Sequence, residues 1–114
     1  MSEPPKHFFV RLQGTRPGWP EGMTEAEERI MEAHFVYLRT LTWQGKCLLA
    51  GPVFGDPVFG LVVLQVADEA EARALMDAEP SVTSGVHTYT LSPMSASLLH
   101  GRQAFVARPG ERAI

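Results

Sequence analysis

Two polar side chains stand out: a histidine within an apolar stretch and an acid directly before a proline. His34 lies inside the apolar stretch "EAHFVYL", and Glu79 comes directly before Pro80. A carboxylate bonded to one imidazole nitrogen fixes the tautomer and leaves the other nitrogen free to move a substrate proton. Such general acid–base catalysis contributes about 10²–10⁴-fold in rate. The pair predicts proton-transfer chemistry. The structural alternatives are a core histidine bonded to a backbone carbonyl or to Tyr37, and an exposed acid at a helix end.

Further candidates for ligand contacts are a cation, a second histidine and several aromatic rings. Arg11 is expected on the side of the sheet away from the helices, where it needs an anion, either a substrate carboxylate or a protein acid. His87 is placed at the same sheet edge and is expected to cluster with Arg11. Trp19, Tyr37 and Trp43 are candidates to line a pocket for a planar ligand, although such aromatic residues are more often part of the core.

The spacing of the metal-ligating residue types does not indicate a metal site. His7 and His87 lack a local ligand spacing, and the sequence has no H-x-x-x-H or C-x-x-C motif. The glycines are scattered through turns rather than gathered in a phosphate-binding loop. The prediction is a site without metal or cofactor, and the single cysteine, Cys47, is interpreted as a small buried hydrophobe.

The elements that must position these residues follow from hydrophobic periodicity and turn signals. Strands are predicted over residues 6–13, 46–53, 58–66 and 86–92, and helices begin after Thr24 and after Asp68. The order β-α-β-β-α-β predicts an α+β, ferredoxin-like fold with an antiparallel sheet. Right-handed crossovers place strand 1 beside strands 3 and 4, with both helices on one face.

Glu79 and Pro80 predict a break in the second helix followed by a short restart. Proline disfavours helical geometry in the residue before it and favours the first position of a new helix. Gly85 is expected to end the restart in a left-handed conformation. The acid is therefore held at a kink, at the sheet edge that also receives the Gly/Pro-rich loop carrying Trp19. An aspartate is expected to cap this restart better than a glutamate.

The sheet face away from the helices is predicted to be apolar, which requires a cover. Its predicted members are Phe9, Arg11, Leu61, Val63 and Tyr89. A bare apolar face of that size is unstable in water. We therefore expect two copies to cover each other's sheets as a homodimeric α+β barrel.

Size and charge bound the remaining possibilities. The 114 residues are expected to form one domain over residues 1–94, with a tail over residues 95–114 that docks in part and then frays. A net charge of −3 without a basic stripe argues against nucleic acid as a partner. The apolar runs are too short for a membrane span, and the absence of a signal-like N-terminus makes a cytoplasmic location the expectation.

Several short motifs together resemble the YCII-related family, whose members are YciI-like proteins. They are "EAHFVYLRTLTWQGKCLLAGPV", the following hairpin, and "DEAEARALMDAEPSVTSGVHTYTLSPM". The resemblance implies a ferredoxin-like fold that dimerises as an α+β barrel. It also implies a histidine–acid dyad at His34 and Glu79, where the family pattern has Asp before proline, and a Gly-Pro that ends strand 2 at Gly51 and Pro52.

Two functions of different kinds follow. In the first, the chain is a small cofactor-independent enzyme, a lyase or isomerase acting on a small organic ring or lactone. His34 and Glu79 are then catalytic, and the substrate-binding candidates are Arg11, Trp19, Tyr37, Gly51, Pro52 and His87. In the second, the chain is a non-catalytic module that binds an unknown small molecule or serves in assembly.

Overall fold

The chain forms a four-stranded antiparallel sheet with its helices on one face. The structure, a computed structural model, describes residues 4–101. The elements in chain order are β1 (Lys6–Gly14), α1 (Glu25–Trp43), β2 (Cys47–Val53), β3 (Phe59–Val66), α2 (Glu69–Asp77), α3 (Pro80–Thr83) and β4 (His87–Met94). The strand order is β2-β3-β1-β4, so β1 is central beside β3 and β4. The predicted α+β, ferredoxin-like class is confirmed.

Local sequence signals set the ends of α1, the helix that carries His34. The Thr24 side chain accepts a hydrogen bond from the Glu27 amide at 3.1 Å, and the Glu27 carboxylate accepts one from the Thr24 amide at 3.0 Å. This reciprocal capping box satisfies two amides that have no partner within the helix. At the other end Gly45 adopts a φ of 78°, which favours glycine, and the helix stops there.

The core lies between the helices and one face of the sheet. Alternate residues of a strand point to opposite faces, so Phe8, Val10 and Leu12 of β1 share the buried face. The other core residues are Leu38, Leu41, Cys47, Val62, Leu64, Val66, Ala72 and Met76. The predicted burial of Cys47 is confirmed, and this burial raises the pKa of its thiol.

The opposite face carries the alternate residues Phe9, Leu61 and Val63, but not Tyr89. Tyr89 pairs with Leu12 in the β1–β4 register, and paired residues share a face of the sheet. Its ring therefore packs against the core, and its hydroxyl donates to Asp77 Oδ1 at 2.7 Å. The assignment of Tyr89 to the open face was wrong because the pairing register of β4, unlike its alternation, is not visible in the sequence.

The chain leaves β4 and turns back towards β1. The Ala96 amide donates a hydrogen bond to His7 Nδ1 at 3.1 Å, and Ser97 is buried. The rest of the predicted tail, residues 102–114, lies outside the described residues. Among the helices of residues 4–101, none combines the length and hydropathy that crossing a lipid bilayer requires.

Candidate active site

The break between α2 and α3 places the acid of the site. Pro80 is the first residue of α3, where its missing N–H is not needed. Glu79 is the extended residue before it, and its Oε1 accepts a hydrogen bond from the Ser81 amide at 3.1 Å. Gly85, with a φ of 83°, follows the short helix. The predicted break and restart are present, and the longer Glu79 side chain caps the restart although Asp was expected to do so better.

His34 reaches the same carboxylate from α1. Its Nδ1 lies 2.9 Å from Glu79 Oε1, across a sequence separation of 45 residues. The His34 side chain is 15% exposed, whereas that of Glu79 is 0% exposed. Because a carboxylate oxygen only accepts, the proton in this bond belongs to His34 Nδ1. In the uncharged imidazole Nε2 then keeps its lone pair. The predicted meeting of the two side chains is present, and their catalytic role stays a prediction.

The buried Glu79 carboxylate remains ionised because its hydrogen bonds outweigh its desolvation. Burial on its own raises the pKa of Glu79. The bonds from the His34 ring and from the Ser81 hydroxyl and amide lower it by more, so the pKa of Glu79 lies below its ordinary value. The Glu79 charge also raises the pKa of Tyr37, in addition to the larger effect of that phenol's own burial. The site thus holds a fixed negative charge beside an imidazole.

Ser81 and His87 join this pair in a continuous set of contacts. The Ser81 hydroxyl donates a short hydrogen bond to Glu79 Oε2. Its oxygen lies 2.8 Å from His87 Nδ1 and 3.4 Å from His34 Nδ1. Both Ser81 and His87 are buried. Burial first, and the nearby His34 second, lower the pKa of His87 to about 4, so this imidazole is uncharged at neutral pH.

Trp19 closes one side of the site as a fixed wall. Its ring meets His87 edge-on, with ring centroids 5.5 Å apart. The loop that carries Trp19 is tied to the start of α1, because Arg16 Nε donates to Glu27 Oε2 at 2.8 Å. Arg16 Nη2 also donates to the Glu21 carbonyl at 2.7 Å within the loop. These two bonds hold the loop that carries Trp19 against the start of α1.

The wall depends on the absence of a side chain at Gly14. A Cβ built on Gly14 would lie 2.4 Å from Trp19 Cδ1, which real atoms do not tolerate. We expect Gly14→Ala to displace Trp19 from His87 and to lower the free energy of unfolding by about 1–3 kcal/mol. The matched control is Gly51→Ala, where an added Cβ meets nothing within 4 Å.

Urea unfolding and tryptophan emission measure the Gly14 effect. The chain has 2 tryptophans, and a Trp43→Phe background isolates the Trp19 signal by removing the other, which is 75% exposed. A change in Trp19 emission is expected for Gly14→Ala and not for Gly51→Ala. Equal stability and equal emission in both variants would contradict the close packing of Trp19 on Gly14.

Arg11 and His87 do not cluster. His87 pairs with Gly14, on the helix side of the sheet, whereas Arg11 alternates to the open side. There the Arg11 guanidinium stacks on the Phe59 ring at 3.8 Å, and its Nε donates to Gln13 at 3.2 Å. The expected cluster was wrong, since being at one edge of a sheet does not place two side chains on one face.

The other predicted ligand contacts lie at different distances from the dyad. Tyr37 is one turn along α1 from His34, and its hydroxyl donates to the Leu75 carbonyl at 2.7 Å. Gly51 and Pro52 lie on the exposed edge strand β2, separated from β4 by β3 and β1. Within one copy of the chain, the structure therefore brings together Trp19, His34, Glu79 and His87, with Tyr37 nearby.

A groove of about 840 Å³ runs along α1 beside the dyad and is open to solvent. Ala33, next to His34, and Pro80, next to Glu79, belong to its lining, but the dyad side chains do not. The remaining lining residues are Arg29, Glu32, Val36, Tyr37, Thr40, Leu41, Gln44 and Leu75. This groove therefore borders the site rather than containing it. The hydrogen bonds among the side chains, and not the groove, define the candidate active site.

Three side chains of metal-ligating type converge although their sequence spacing gave no sign of it. Donor atoms of His34, Glu79 and His87 lie within 4.8 Å of one another. Two histidines and one carboxylate match the ligand set of many zinc and non-haem iron sites. Here the Nδ1 atoms and both carboxylate oxygens already bond to one another or to Ser81. A metal ion held by those same atoms would have to replace these hydrogen bonds.

Ser81 is the member of the site that the sequence analysis did not identify. Its signal was present: it is the second residue of the predicted restart, the position whose amide an N-cap side chain reaches. A hydroxyl at that position lies beside the capping carboxylate because the carboxylate bonds to the amide of the same residue. The contact to His87 has no such local signal, because it depends on how β4 returns to the sheet.

The class of protein to which the chain belongs is shown by a match to a family of domains. The chain is a member of the YCII-related domain family, which it matches over residues 8–95. Comparison with curated proteins finds no match.

A similar solved structure is that of 5-chloro-2-hydroxyhydroquinone dehydrochlorinase (TftG) from Burkholderia phenoliruptrix AC1100, in complex with 2,5-dihydroxybenzoquinone. The two are 18% identical, with a TM-score of 0.56, over 75% of this chain and 90% of that one. At this identity the likeness is one of fold.

Proposed function

We propose that this chain is a small enzyme in which His34 acts as general base or acid and Glu79 orients it. The observation that supports this most strongly is the 2.9 Å bond between His34 Nδ1 and the fully buried Glu79 carboxylate. A buried charge is costly, and a pair of apolar residues is often at least as stabilising in its place. Retaining a charged carboxylate behind a partly exposed imidazole is the arrangement that proton transfer needs.

The reaction class we propose is an elimination or isomerisation led by proton transfer. His34 Nε2 takes a proton from a hydroxyl or an activated C–H of the substrate. The electron pair left behind forms a new double bond, and either a leaving group departs as an anion or the proton returns at another carbon. Glu79 remains ionised throughout and stabilises the imidazolium that forms. No cofactor is required for these steps.

Small hydroxylated rings are the substrate class that we propose first. The structural neighbour is named as a dehydrochlorinase of a chlorinated hydroxyhydroquinone, and it holds a dihydroxybenzoquinone. Loss of HCl from such a ring is an elimination of the proposed kind. Tyr37 lies near the dyad and lines the groove beside it, and an aromatic side chain of this kind favours contact with a flat ring.

Deuterium exchange tests the proposal for any compound whose proton the dyad moves, whatever the product. The protein is incubated in D₂O with chlorinated and unchlorinated hydroxyhydroquinones, dihydroxybenzoquinone and small lactones, and each compound is followed by NMR. We expect deuterium uptake at carbon, or release of chloride, that depends on the protein. Binding of a compound without deuterium uptake or chloride release would favour the alternative of a non-catalytic small-molecule-binding module. The cytoplasmic location stays a prediction under either function.

We further propose that the protein works as a homodimer through the open sheet face. That face carries Phe9, Phe59 and Leu61, and Met94 is 40% exposed beside them. Apolar surface of this kind is stabilised by a matching cover. Arg11 stands on the same face and would lie inside the barrel so formed, where its charge needs a ligand anion or an acid of the second copy.

Placing a charge on the open face is expected to dissociate the dimer. In Leu61→Arg an unpaired guanidinium would have to be buried between two apolar sheets, which costs several kcal/mol. Light scattering after size-exclusion chromatography should report a dimer for the unmodified chain and a monomer for this variant. The control, Val36→Arg, adds the same charge to the exposed side of α1 and should remain a dimer. Dissociation by Val36→Arg alone would instead identify α1 as the interface.

A further inference from the structure

We propose that Ser81 and His87 are positioning residues that extend the His34–Glu79 pair into a four-residue hydrogen-bond chain. In this chain His87 carries its proton on Nδ1 and donates it to the Ser81 oxygen, and the Ser81 hydroxyl donates to Glu79. The chain would run from His87 Nδ1–H to the Ser81 oxygen, from the Ser81 hydroxyl to Glu79 Oε2, and from Glu79 Oε1 back to His34 Nδ1–H. The role of this hydrogen-bond chain in catalysis rests on the proposed function, whereas the hydrogen bonds themselves do not.

The count of donors and acceptors fixes the direction of each bond. An ionised carboxylate only accepts, so the Ser81 hydroxyl gives its single proton to Glu79 Oε2. The Ser81 oxygen then has only lone pairs to offer His87 Nδ1, which lies 2.8 Å away. That nitrogen must therefore be the protonated one. His34 Nδ1, 2.9 Å from Glu79 Oε1 and 3.4 Å from Ser81 Oγ, gives its proton to the nearer carboxylate.

Burial restricts Glu79, Ser81 and His87 to hydrogen-bond partners within the protein. Glu79 and Ser81 are completely buried, and His87 is 5% exposed. Buried polar groups find partners within the protein, and an unpaired one costs about 1–3 kcal/mol. Bulk water therefore has little access with which to satisfy a different tautomer of His87. Trp19, edge-on against the His87 ring, covers it from the loop side.

The chain has a consequence for how the dyad works. Glu79 Oε2 is held by Ser81, so Oε1 is held in place for His34, and the carboxylate cannot rotate away. His87 stays uncharged near neutral pH, so it does not compete with His34 for the Glu79 charge. One imidazole of the two is then the group that exchanges a proton with a ligand, and the other fixes the acid behind it.

Histidine tautomers can be read directly by NMR. Long-range ¹H–¹⁵N spectra of the ¹⁵N-labelled protein at pH 7 distinguish a protonated from an unprotonated ring nitrogen. We expect His87 to be protonated on Nδ1 alone in the unmodified chain. The exposed His100 serves as the reference and should show a mixture of the two uncharged tautomers. A proton on His87 Nε2 would overturn the proposal, and this measurement needs no variant and no substrate.

Variants then test whether Ser81 is the link. In Ser81→Ala the His87 Nδ1 proton loses its acceptor, and we expect the tautomer of His87 to shift while His34 keeps its proton on Nδ1. Ser84→Ala removes a hydroxyl from the same turn that donates to the Ser81 backbone carbonyl at 3.2 Å, and it should change neither histidine. An unchanged His87 spectrum in Ser81→Ala would overturn the link. So would a His87 spectrum altered by EDTA, since that would reveal a bound metal ion.

The same variants separate this inference from the proposed function. If an exchanging substrate is found, Ser81→Ala should lower kcat by about 10-fold with little change in KM, because it disturbs the positioning of the acid and not the ligand contacts. If no substrate exchanges, the tautomer spectra still decide whether the chain exists. Expected tautomers without any exchange would leave the four-residue chain standing and overturn only its role in catalysis.

Discussion

His34→Gln is expected to lower the rate of deuterium exchange, or of turnover, by about 10²–10⁴-fold, the usual contribution of a general acid–base group. Glutamine can still donate one hydrogen bond to Glu79, so the buried carboxylate keeps a partner and the fold is retained. It cannot accept and return a proton near neutral pH. Ligand affinity should stay close to that of the unmodified protein, since the loss lies in the reaction step.

The control for this experiment is His100→Gln, which removes an exposed histidine from the end of the described chain. It should exchange at the unmodified rate. The rates are measured by NMR in D₂O, and binding is measured separately by titration calorimetry with the same compound. A His34→Gln protein that binds and exchanges at the unmodified rate would exclude His34 as the base, whereas loss of both binding and exchange would assign it to ligand contact.

Acidification from about pH 6.5 to pH 4 is expected to destabilise the protein by about 3 kcal/mol through His87. The pKa of this imidazole falls from its ordinary 6.5 to about 4 on folding, chiefly because it is buried. Between those values the unfolded chain binds a proton that the folded chain does not, so the free energy of unfolding decreases as the pH falls. Each unit of pKa corresponds to about 1.4 kcal/mol, which sets the magnitude.

Glu79 contributes in the same direction over a lower range. Its pKa is lowered in the folded state, so the stability that it provides is complete above the ordinary carboxyl range. That contribution is lost progressively as the pH falls from the ordinary carboxyl pKa to the lower folded-state pKa. The two groups therefore act in sequence on acidification: proton uptake by His87 in the unfolded chain lowers the free energy of unfolding first, and proton uptake by Glu79 lowers it further at lower pH.

Urea unfolding across this pH range, compared between variants, isolates the His87 contribution. His87→Gln has no titrating group at this position, so the slope of stability against pH should decrease by about one proton between pH 6.5 and 4. The groups that face His87 are His34, Glu79, Ser81 and Trp19, and they remain in this variant. His100→Gln again serves as the control and should keep the full slope. A full slope in His87→Gln would show that His87 does not take up a proton on unfolding.

The single elements were predictable because their signals are local. The capping box at Thr24, the stop at Gly45 and the break at Pro80 each depend on residues within four positions of one another. The hairpin and strand alternation are equally local, and the order of elements then leaves few ways to build the sheet. The resemblance to a known family implied that His34 and Glu79 pair, and their side chains do lie within hydrogen-bonding distance.

The remaining features depended on which face a residue occupies, and only the tertiary structure decided that. The sequence pattern predicted the kink and the antiparallel sheet, and the family resemblance implied the His34–Glu79 pair. The sequence pattern assigned Tyr89 and His87 to the wrong surroundings, because a shift of one residue in the pairing of β4 reverses the face of every side chain on it. Ser81 became part of the site only when that register brought His87 to its hydroxyl. Local propensity fixes where elements begin and end, but long-range pairing decides which polar groups must satisfy one another in the interior.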